Sequence, residues 1–273
     1  MKIKLVVCDL DGSLLNSNSE ISPADQLTLK ELGESGVIRV IATGRNLFST
    51  RKVIDHTPLI DYAAISTGLG ILNFQTGEIL KTEHLDKEQV RFLVDFMIKE
   101  KVDFMIHNLL PDNHYVTCYD ADTGHPDFLL RWGWYRKFAS NYDHNPGNLE
   151  PASQFISFHP PSSPRIDQIR KELKDFHIVR TTSPITNHYD WMEIFPPNVS
   201  KGHALQWLCK YLNIDINYTI CLGNDYNDLD MLQVAGNSFV TSNAPKDLKE
   251  IFNVTVSNNE DPLTKIIDKI KIL

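Results

Sequence analysis

The segment Lys4-Leu5-Val6-Val7-Cys8-Asp9-Leu10-Asp11-Gly12-Ser13 constrains this chain more than any other. An unbroken apolar, β-prone run reads as a strand buried on both faces, which is the signature of a parallel sheet covered by helices. It ends in two carboxylates one residue apart. Carboxylates at that place are costly unless they are solvated, paired or bound to a cation. Period-2 geometry points Asp9 and Asp11 the same way, and Gly12 lets the chain turn directly after them. Such a pair can hold a hard cation and present one carboxylate as a nucleophile, with the other as acid or base. The plainer alternative for these ten residues alone is a strand followed by a solvated Asp-Gly turn.

The rest of the first part repeats the pattern. Strand-like runs are 3–7, 37–42 and 62–66, with a helix from Ser22-Pro23 to about Ser35 and a short one from Arg45 to about Ile54. The rhythm returns late in the chain, with strands at 191–195, 218–222, 238–241 and 254–256 and helices at 200–212, 227–235 and 262–272. This βαβ alternation predicts an α/β fold, a Rossmann-like parallel sheet core. The middle reads differently. Helices at 87–99 and 165–176 and strands at 102–107, 115–119, 154–159 and 177–181 predict an inserted α+β cap domain. The expected division is a core of residues 1–81 and 189–273 and an insertion of 82–188.

A chain of 273 residues can bury a substantial core. With 27 Lys plus Arg against 35 Asp plus Glu, the net charge of −8 argues against a general nucleic-acid or anionic-membrane binder. No apolar run is long enough to span a bilayer, and the N-terminus shows no signal-peptide pattern, so the cytoplasm is the expected location. Cys8, Cys118, Cys209 and Cys221 lack metal-type spacing and read as buried free thiols.

In an open parallel sheet, ligands bind beyond the carboxyl ends of the strands. Chemistry-bearing residues recur at those ends here. After the second strand, Thr43-Gly44-Arg45 offers a hydroxyl, a turn and a cation, a set able to hold a phosphoryl group. After the third comes Ser66-Thr67-Gly68. Lys201 opens a helix, where the macrodipole disfavours a cation, so its position wants a reason. After 218–222 comes the acidic loop Gly223-Asn224-Asp225-Tyr226-Asn227-Asp228, suited to a cation, or to a turn that caps a helix.

These features, in order and type, resemble the haloacid dehalogenase superfamily of phosphohydrolases, most closely its Cof-like branch, which carries an α/β cap between the second and third motifs. Asp9–Ser13 matches the first motif, with Ser13 where the family usually has Thr. Thr43-Gly44-Arg45 matches the second, Lys201 the third, and Gly223–Asp228 the fourth. The resemblance implies Asp9 as nucleophile, attacking phosphorus to give an aspartyl-phosphate, and Asp11 as the acid and then the base. It implies Mg²⁺ as cofactor, on the Asp9 carboxylate, the Asp11 carbonyl and the acidic loop. Thr43 and Lys201 would complete the catalytic set. Gly12, Gly44, Arg45, Thr67, Gly68 and Asn227 would contact the phosphorylated substrate. The family usually reads Gly-Asp-x-x-Asn-Asp in the fourth motif, so Asn224 stands where a metal-binding Asp is usual. Either the Asn224 amide oxygen or a shifted Asp225 would complete the metal set, with Asp228 in support. Thr67 likewise stands where this branch commonly has Asn.

The implied activity is a Mg²⁺-dependent phosphatase acting on a small phosphorylated metabolite. A sugar phosphate is the expected class, because the insertion carries aromatics and polar donors, densest at Arg131–Phe138, with His107, Asn108, His114 and His125 upstream. Most of those aromatics are expected to build the cap's own core. Asn187, His188 and Asp190 are candidates for a hinge or a substrate contact. The rival readings are a phosphomutase or phosphotransferase of the same superfamily, and a non-catalytic binder of phosphorylated ligands weakened by Asn224.

Overall fold

The computed structural model describes residues 3–54, 58–183, 185–186 and 188–271. They form two compact units, Met1–Thr82 with Val199–Leu273, and Glu83–Asn198. In chain order the first unit opens with β1 (Leu5–Cys8), α1 (Pro23–Glu34), β2 (Ile38–Ala42), α2 (Leu47–Val53), β3 (Tyr62–Ile65), β4 (Gly70–Asn73) and β5 (Ile79–Thr82). The second unit follows with α3 (Lys87–Glu100), β6 (Phe104–His107), β7 (Val116–Tyr119), α4 (Pro126–Tyr135) and β8 (Ala139–Asn141). It continues with β9 (Gln154–His159), α5 (Pro164–Glu172), β10 (His177–Thr182) and β11 (Asp190–Phe195). The chain returns to the first unit with α6 (Lys201–Tyr211), β12 (Thr219–Gly223), α7 (Leu229–Val234), β13 (Asn237–Val240), α8 (Lys246–Ile251), β14 (Asn253–Val254) and α9 (Pro262–Ile270).

The first unit is the expected α/β core. Its sheet runs β14-β13-β12-β1-β2-β3-β4-β5. Strands β14 to β3 are parallel, and β4 and β5 extend the edge antiparallel. β1 and β12 are buried along their whole length, which accounts for their continuous apolar sequence. Leu5, Val7, Val40 and Cys221 pack on one face against Ala204, Leu205 and Leu208 of α6 and Met231 and Leu232 of α7. α1 starts where Ser22 caps it and Pro23 occupies its first turn. It packs against α9, where the Asp25 carboxylate accepts from the Thr264 N–H (2.8 Å) and hydroxyl (2.7 Å). No helix among the described residues is long and apolar enough to cross a membrane. All four cysteines are buried and free.

The second unit is built on a sheet ordered β10-β11-β9-β6-β7-β8, antiparallel except where β8 pairs parallel to β7. Val90, Leu93, Val94 and Met97 of α3 and Ile166 and Ile169 of α5 cover one face, on Phe104, Phe155, Met192 and Ile194. Phe128 of α4 covers the other, with Met105, Ile156, Phe158 and Trp191. The strand expected at 191–195 forms, but it lies between β9 and β10 in this sheet and not in the parallel core. The second unit therefore runs on to Asn198, ten residues beyond the expected end of the insertion. The aromatic stretch folds as α4. Phe128 is buried and Trp132 packs on it, whereas Trp134 is exposed.

Candidate active site

The expected residues that the first unit brings together sit at the carboxyl ends of β1, β2, β3 and β12 and the first turn of α6. Asp9 is 5% exposed, and its backbone N–H is held by the Leu222 carbonyl of β12 (2.8 Å). Lys201 is fully buried. Its ammonium donates to Asp9 Oδ1 and to Asp228 Oδ1, each at 2.6 Å. These two carboxylates are the reason for a cation at a helix N-terminus. Their attraction outweighs both the macrodipole and the loss of water. Burial alone would lower the Lys201 pKa, but Asp228 and Asp9 together hold it above its ordinary value. Burial pushes the Asp9 carboxyl up and Asp228 adds to this, while Lys201 pulls the other way.

Asp228 is fully buried, and both of its oxygens are committed. Oδ1 takes Lys201, and Oδ2 accepts from the backbone N–H of Asn224 (2.8 Å) and Asp225 (3.1 Å). It shapes the acidic loop and holds Lys201, and it is not turned out as a metal ligand. Asp225 is exposed and caps the following turn through the Tyr226 N–H (2.7 Å). Both Asp228 oxygens and Asp225 Oδ1 are thus taken up within the loop and by Lys201. Asn224 is the loop residue that faces Asp9. The inward atom of its carboxamide lies 3.1 Å from Asp9 Oδ2, 3.0 Å from the Asp11 carbonyl oxygen and 3.1 Å from Ser13 Oγ. Asn227 is half-buried on the turn, and its side chain makes no hydrogen bond among the described residues.

The Asp11 side chain is exposed and is clamped by Arg45. Nε donates to Oδ2 at 2.7 Å and Nη2 to Oδ1 at 2.6 Å. This pair raises the Arg45 pKa. The guanidinium therefore rests on the expected acid–base residue instead of standing free for a phosphate. Thr43 is buried, and its hydroxyl accepts from the Arg45 N–H (3.1 Å) in the turn after β2. Ser66 and Thr67 both adopt positive φ, 47° and 60°, ahead of Gly68 at 93°. That left-handed turn is fastened to the second motif, because the Ser66 N–H donates to the Arg45 carbonyl and the Thr67 N–H to the Thr43 carbonyl. A non-glycine residue held there costs on the order of 1–3 kcal/mol and persists only where the surroundings impose it. Gly68 has a packing reason. A Cβ there would lie 2.4 Å from the Ser200 carbonyl oxygen at the start of α6. Gly44 meets nothing closer than Thr67 Oγ1 at 3.8 Å.

The donors facing one another at Asp9 are all oxygen, as a hard cation requires. Asp9 Oδ2, the Asp11 carbonyl and an Asn224 oxygen turned inward would present one full negative charge. Their 3.0–3.1 Å separations from the Asn224 atom are close to the roughly 2.9 Å edge of an octahedral Mg²⁺ shell. The residues present fit such an ion. Sequence reading missed Ser13 as part of this cluster. It is fully buried, and its only signal was its place in the first motif.

In the second unit, Asp190 accepts from Arg180 Nη2 and from the Ser162 N–H, both at 2.8 Å, and so fastens the β10–β11 end. His188 is exposed, and Asn187 lies outside the described residues. His107 and His125 are buried, and their rings donate to the Asn113 and His159 carbonyls.

Residues 6–267 match the family of haloacid dehalogenase-like hydrolases. The chain is 25% identical to the 5-amino-6-(5-phospho-D-ribitylamino)uracil phosphatase YwtE of Bacillus subtilis (strain 168), over 98% of each chain. It is 25% identical to the HMP-PP phosphatase of Cronobacter sakazakii, over 93% of this chain and 89% of that one. Among solved structures it resembles the phosphatase BT1666 from Bacteroides thetaiotaomicron, with TM-score 0.83, 19% identity and coverage of 100% and 96%. The subclass IIB sugar phosphatase BT4131 follows the same fold, with TM-score 0.75, 18% identity and coverage of 99% and 100%. A buried Asp–Lys–Asp relay at the ends of a parallel sheet, within a match over nearly the whole chain, makes this protein a haloacid dehalogenase-like hydrolase, one of that superfamily's phosphatases.

Proposed function

We propose that the protein is a Mg²⁺-dependent phosphatase that hydrolyses a small phosphorylated metabolite, with a phosphorylated sugar as the substrate class. The observation that carries this reading is Lys201, wholly buried and 2.6 Å from Asp9 Oδ1. A desolvated cation there favours the ionised form of Asp9 against the upward push of burial and Asp228, and the ionised form is the one that attacks. Asp9 attacks phosphorus, so the Asp9–phosphorus bond forms as the ester P–O bond breaks. With Arg45 drawn off Asp11 by the substrate's phosphoryl group, the Asp11 carboxyl, protonated once free of the guanidinium, gives its proton to the departing alkoxide. It then takes a proton from water, which attacks phosphorus, releases phosphate and restores Asp9. The Thr43 hydroxyl and the Gly44 N–H bind phosphoryl oxygens, and Lys201 offsets charge as it builds. Bound Mg²⁺, held by Asp9 Oδ2, the Asp11 carbonyl and Asn224, would supply charge compensation between the carboxylate and the phosphoryl group.

The sugar assignment is supported by the relatives, one of which acts on a phosphoribitylamino compound and another of which is a sugar phosphatase. We assign substrate selection to the inserted unit, whose aromatic and polar side chains suit the C–H faces and hydroxyls of a sugar. The test is phosphate release from a panel of phosphorylated sugars and other phosphorylated metabolites, with Mg²⁺ and with chelator, alongside Asp9→Asn. Release that needs Mg²⁺, favours sugars and is absent from Asp9→Asn is expected. Phosphoryl transfer between sugar hydroxyls without free phosphate would instead mark a mutase. No turnover of any compound by folded protein at saturating Mg²⁺ would overturn the reading.

A further inference from the structure

Asn224 departs from the family pattern, and its surroundings give the departure a use. Its carboxamide is wedged between two walls. On one side are Asp9 Oδ2, the Asp11 carbonyl and Ser13 Oγ, at 3.0–3.1 Å. On the other is Gly12, at φ +74°, where even a Cβ would lie 2.5 Å from the outer amide atom. A half-turn of the amide plane exchanges nitrogen and oxygen between these same two positions without moving the side chain.

The two orientations do different chemistry. With Oδ1 inward, acceptors converge on one point, and only a cation or the Ser13 proton relieves them. With Nδ2 inward, the amide hydrogens are shared among Asp9 Oδ2, the Asp11 carbonyl and Ser13 Oγ. The outer position faces only donors, so it too is satisfied when oxygen occupies it. Ser13 suits either state, because a hydroxyl donates to an oxygen and accepts from an N–H. A carboxylate at this position has no such second state.

We propose that the Asn224 carboxamide is a two-position switch, with Nδ2 inward when the site lacks Mg²⁺ and Oδ1 inward when Mg²⁺ binds. The inference rests on the Mg²⁺ reading above and adds to it. In the metal-free protein the amide takes the cation's part, tying together the oxygens that a cation would otherwise have to hold. Binding must break those hydrogen bonds on both faces of the amide and gains one fewer charge than a carboxylate would provide. Mg²⁺ affinity is therefore lower, and the fold depends on the ion less.

The experiment uses the full chain with Mg²⁺ alone and no substrate. Calorimetry gives affinity, ¹⁵N–¹H spectra follow the side-chain amides, and thermal unfolding is recorded with Mg²⁺ and with chelator. The Asn224 signals are assigned by their absence in Asn224→Asp. In the metal-free protein they are expected to be protected from exchange, and to shift and lose protection as Mg²⁺ saturates. Asn224→Asp is expected to bind Mg²⁺ at least about tenfold more tightly, since ligand charge tunes such sites. It is also expected to melt below the wild type in chelator, with the gap closing in Mg²⁺. Mg²⁺ binding with the Asn224 signals unmoved would overturn the switch and leave the Mg²⁺ reading standing. So would equal affinity in the two proteins. Failure of both proteins to bind Mg²⁺ would overturn both readings. If Asn224→Asp folds only with Mg²⁺, that supports the switch. If it folds under neither condition, the wild-type amide signals decide.

Discussion

Lys201→Met removes the charge at the centre of the site and keeps most of the volume. Lys201 and Asp228 have no exposed side-chain surface, and Asp9 has almost none. Both ion pairs are 2.6 Å long, so the substitution leaves two carboxylates buried with no cation between them. Breaking a buried pair from one side costs about 3–5 kcal/mol. For a unit of roughly 150–250 residues each kcal/mol moves the melting temperature by about 2–4 °C, so a fall of about 6–20 °C is expected. Differential scanning calorimetry in chelator measures it without interference from bound cations. Because the pair is desolvated, added salt should leave the gap in place. The double variant Lys201→Met with Asp228→Asn removes one stranded charge while the new amide oxygen can still accept from Asn224 and Asp225. It should recover about 1–3 kcal/mol relative to Lys201→Met, the range of coupling between residues in contact. A loss under about 1 kcal/mol in the single variant would refute the reasoning. A double variant no more stable than Lys201→Met would do so equally.

Asp127 is buried and accepts from Trp191 Nε1 (2.8 Å) and Thr186 Oγ1 (2.9 Å), so Asp127→Ala should destabilise the second unit by about 1–3 kcal/mol. Tryptophan fluorescence during urea unfolding reads this directly, and an unchanged midpoint would contradict it. Burial, with Arg131 nearby, pushes the His107 pKa down to about 3; burial, with His125 nearby, takes His159 down to about 4. Above pH 6.5 neither state binds these protons. Below it the unfolded chain takes protons that the folded one refuses, so stability falls from pH 6.5 towards pH 3–4. Between pH 7 and 5 this amounts to roughly 2 kcal/mol per histidine, and urea midpoints that stay flat over that range would be inconsistent with it. Gly12→Ala would place a Cβ 2.5 Å from the Asn224 amide at φ +74°, so phosphate release should fall by at least about tenfold while the circular dichroism spectrum is retained. Unchanged turnover would mean that the Asn224 position is not needed for the reaction.

What the sequence made legible was local. The apolar run into Asp9 and Asp11, the Thr43-Gly44-Arg45 turn and the helix opening at Lys201 each carry their signal within a few residues, and the parallel core follows from their rhythm. The features that escaped depend on partners distant in the chain. β11 reads as a strand from its own residues, but an apolar strand looks the same whichever sheet accepts it, so the unit it joins is decided by β9 and β10. β5 is short and largely exposed at a sheet edge, with no alternation to announce it. α4 is obscured by Gly133 and by aromatics that face both core and solvent. The same limit governs the acidic loop. Asn224, Asp225 and Asp228 all look like metal ligands in the sequence, because composition records which groups can accept and not which donors reach them. In the folded loop two backbone N–H groups and Lys201 claim Asp228, and Tyr226 claims Asp225. The residue that carries no charge is left facing Asp9. The loop spends Asp228 on two of its own backbone N–H groups and on Lys201, so its geometry beside Asp9 is set by bonds that no motif of the sequence displays.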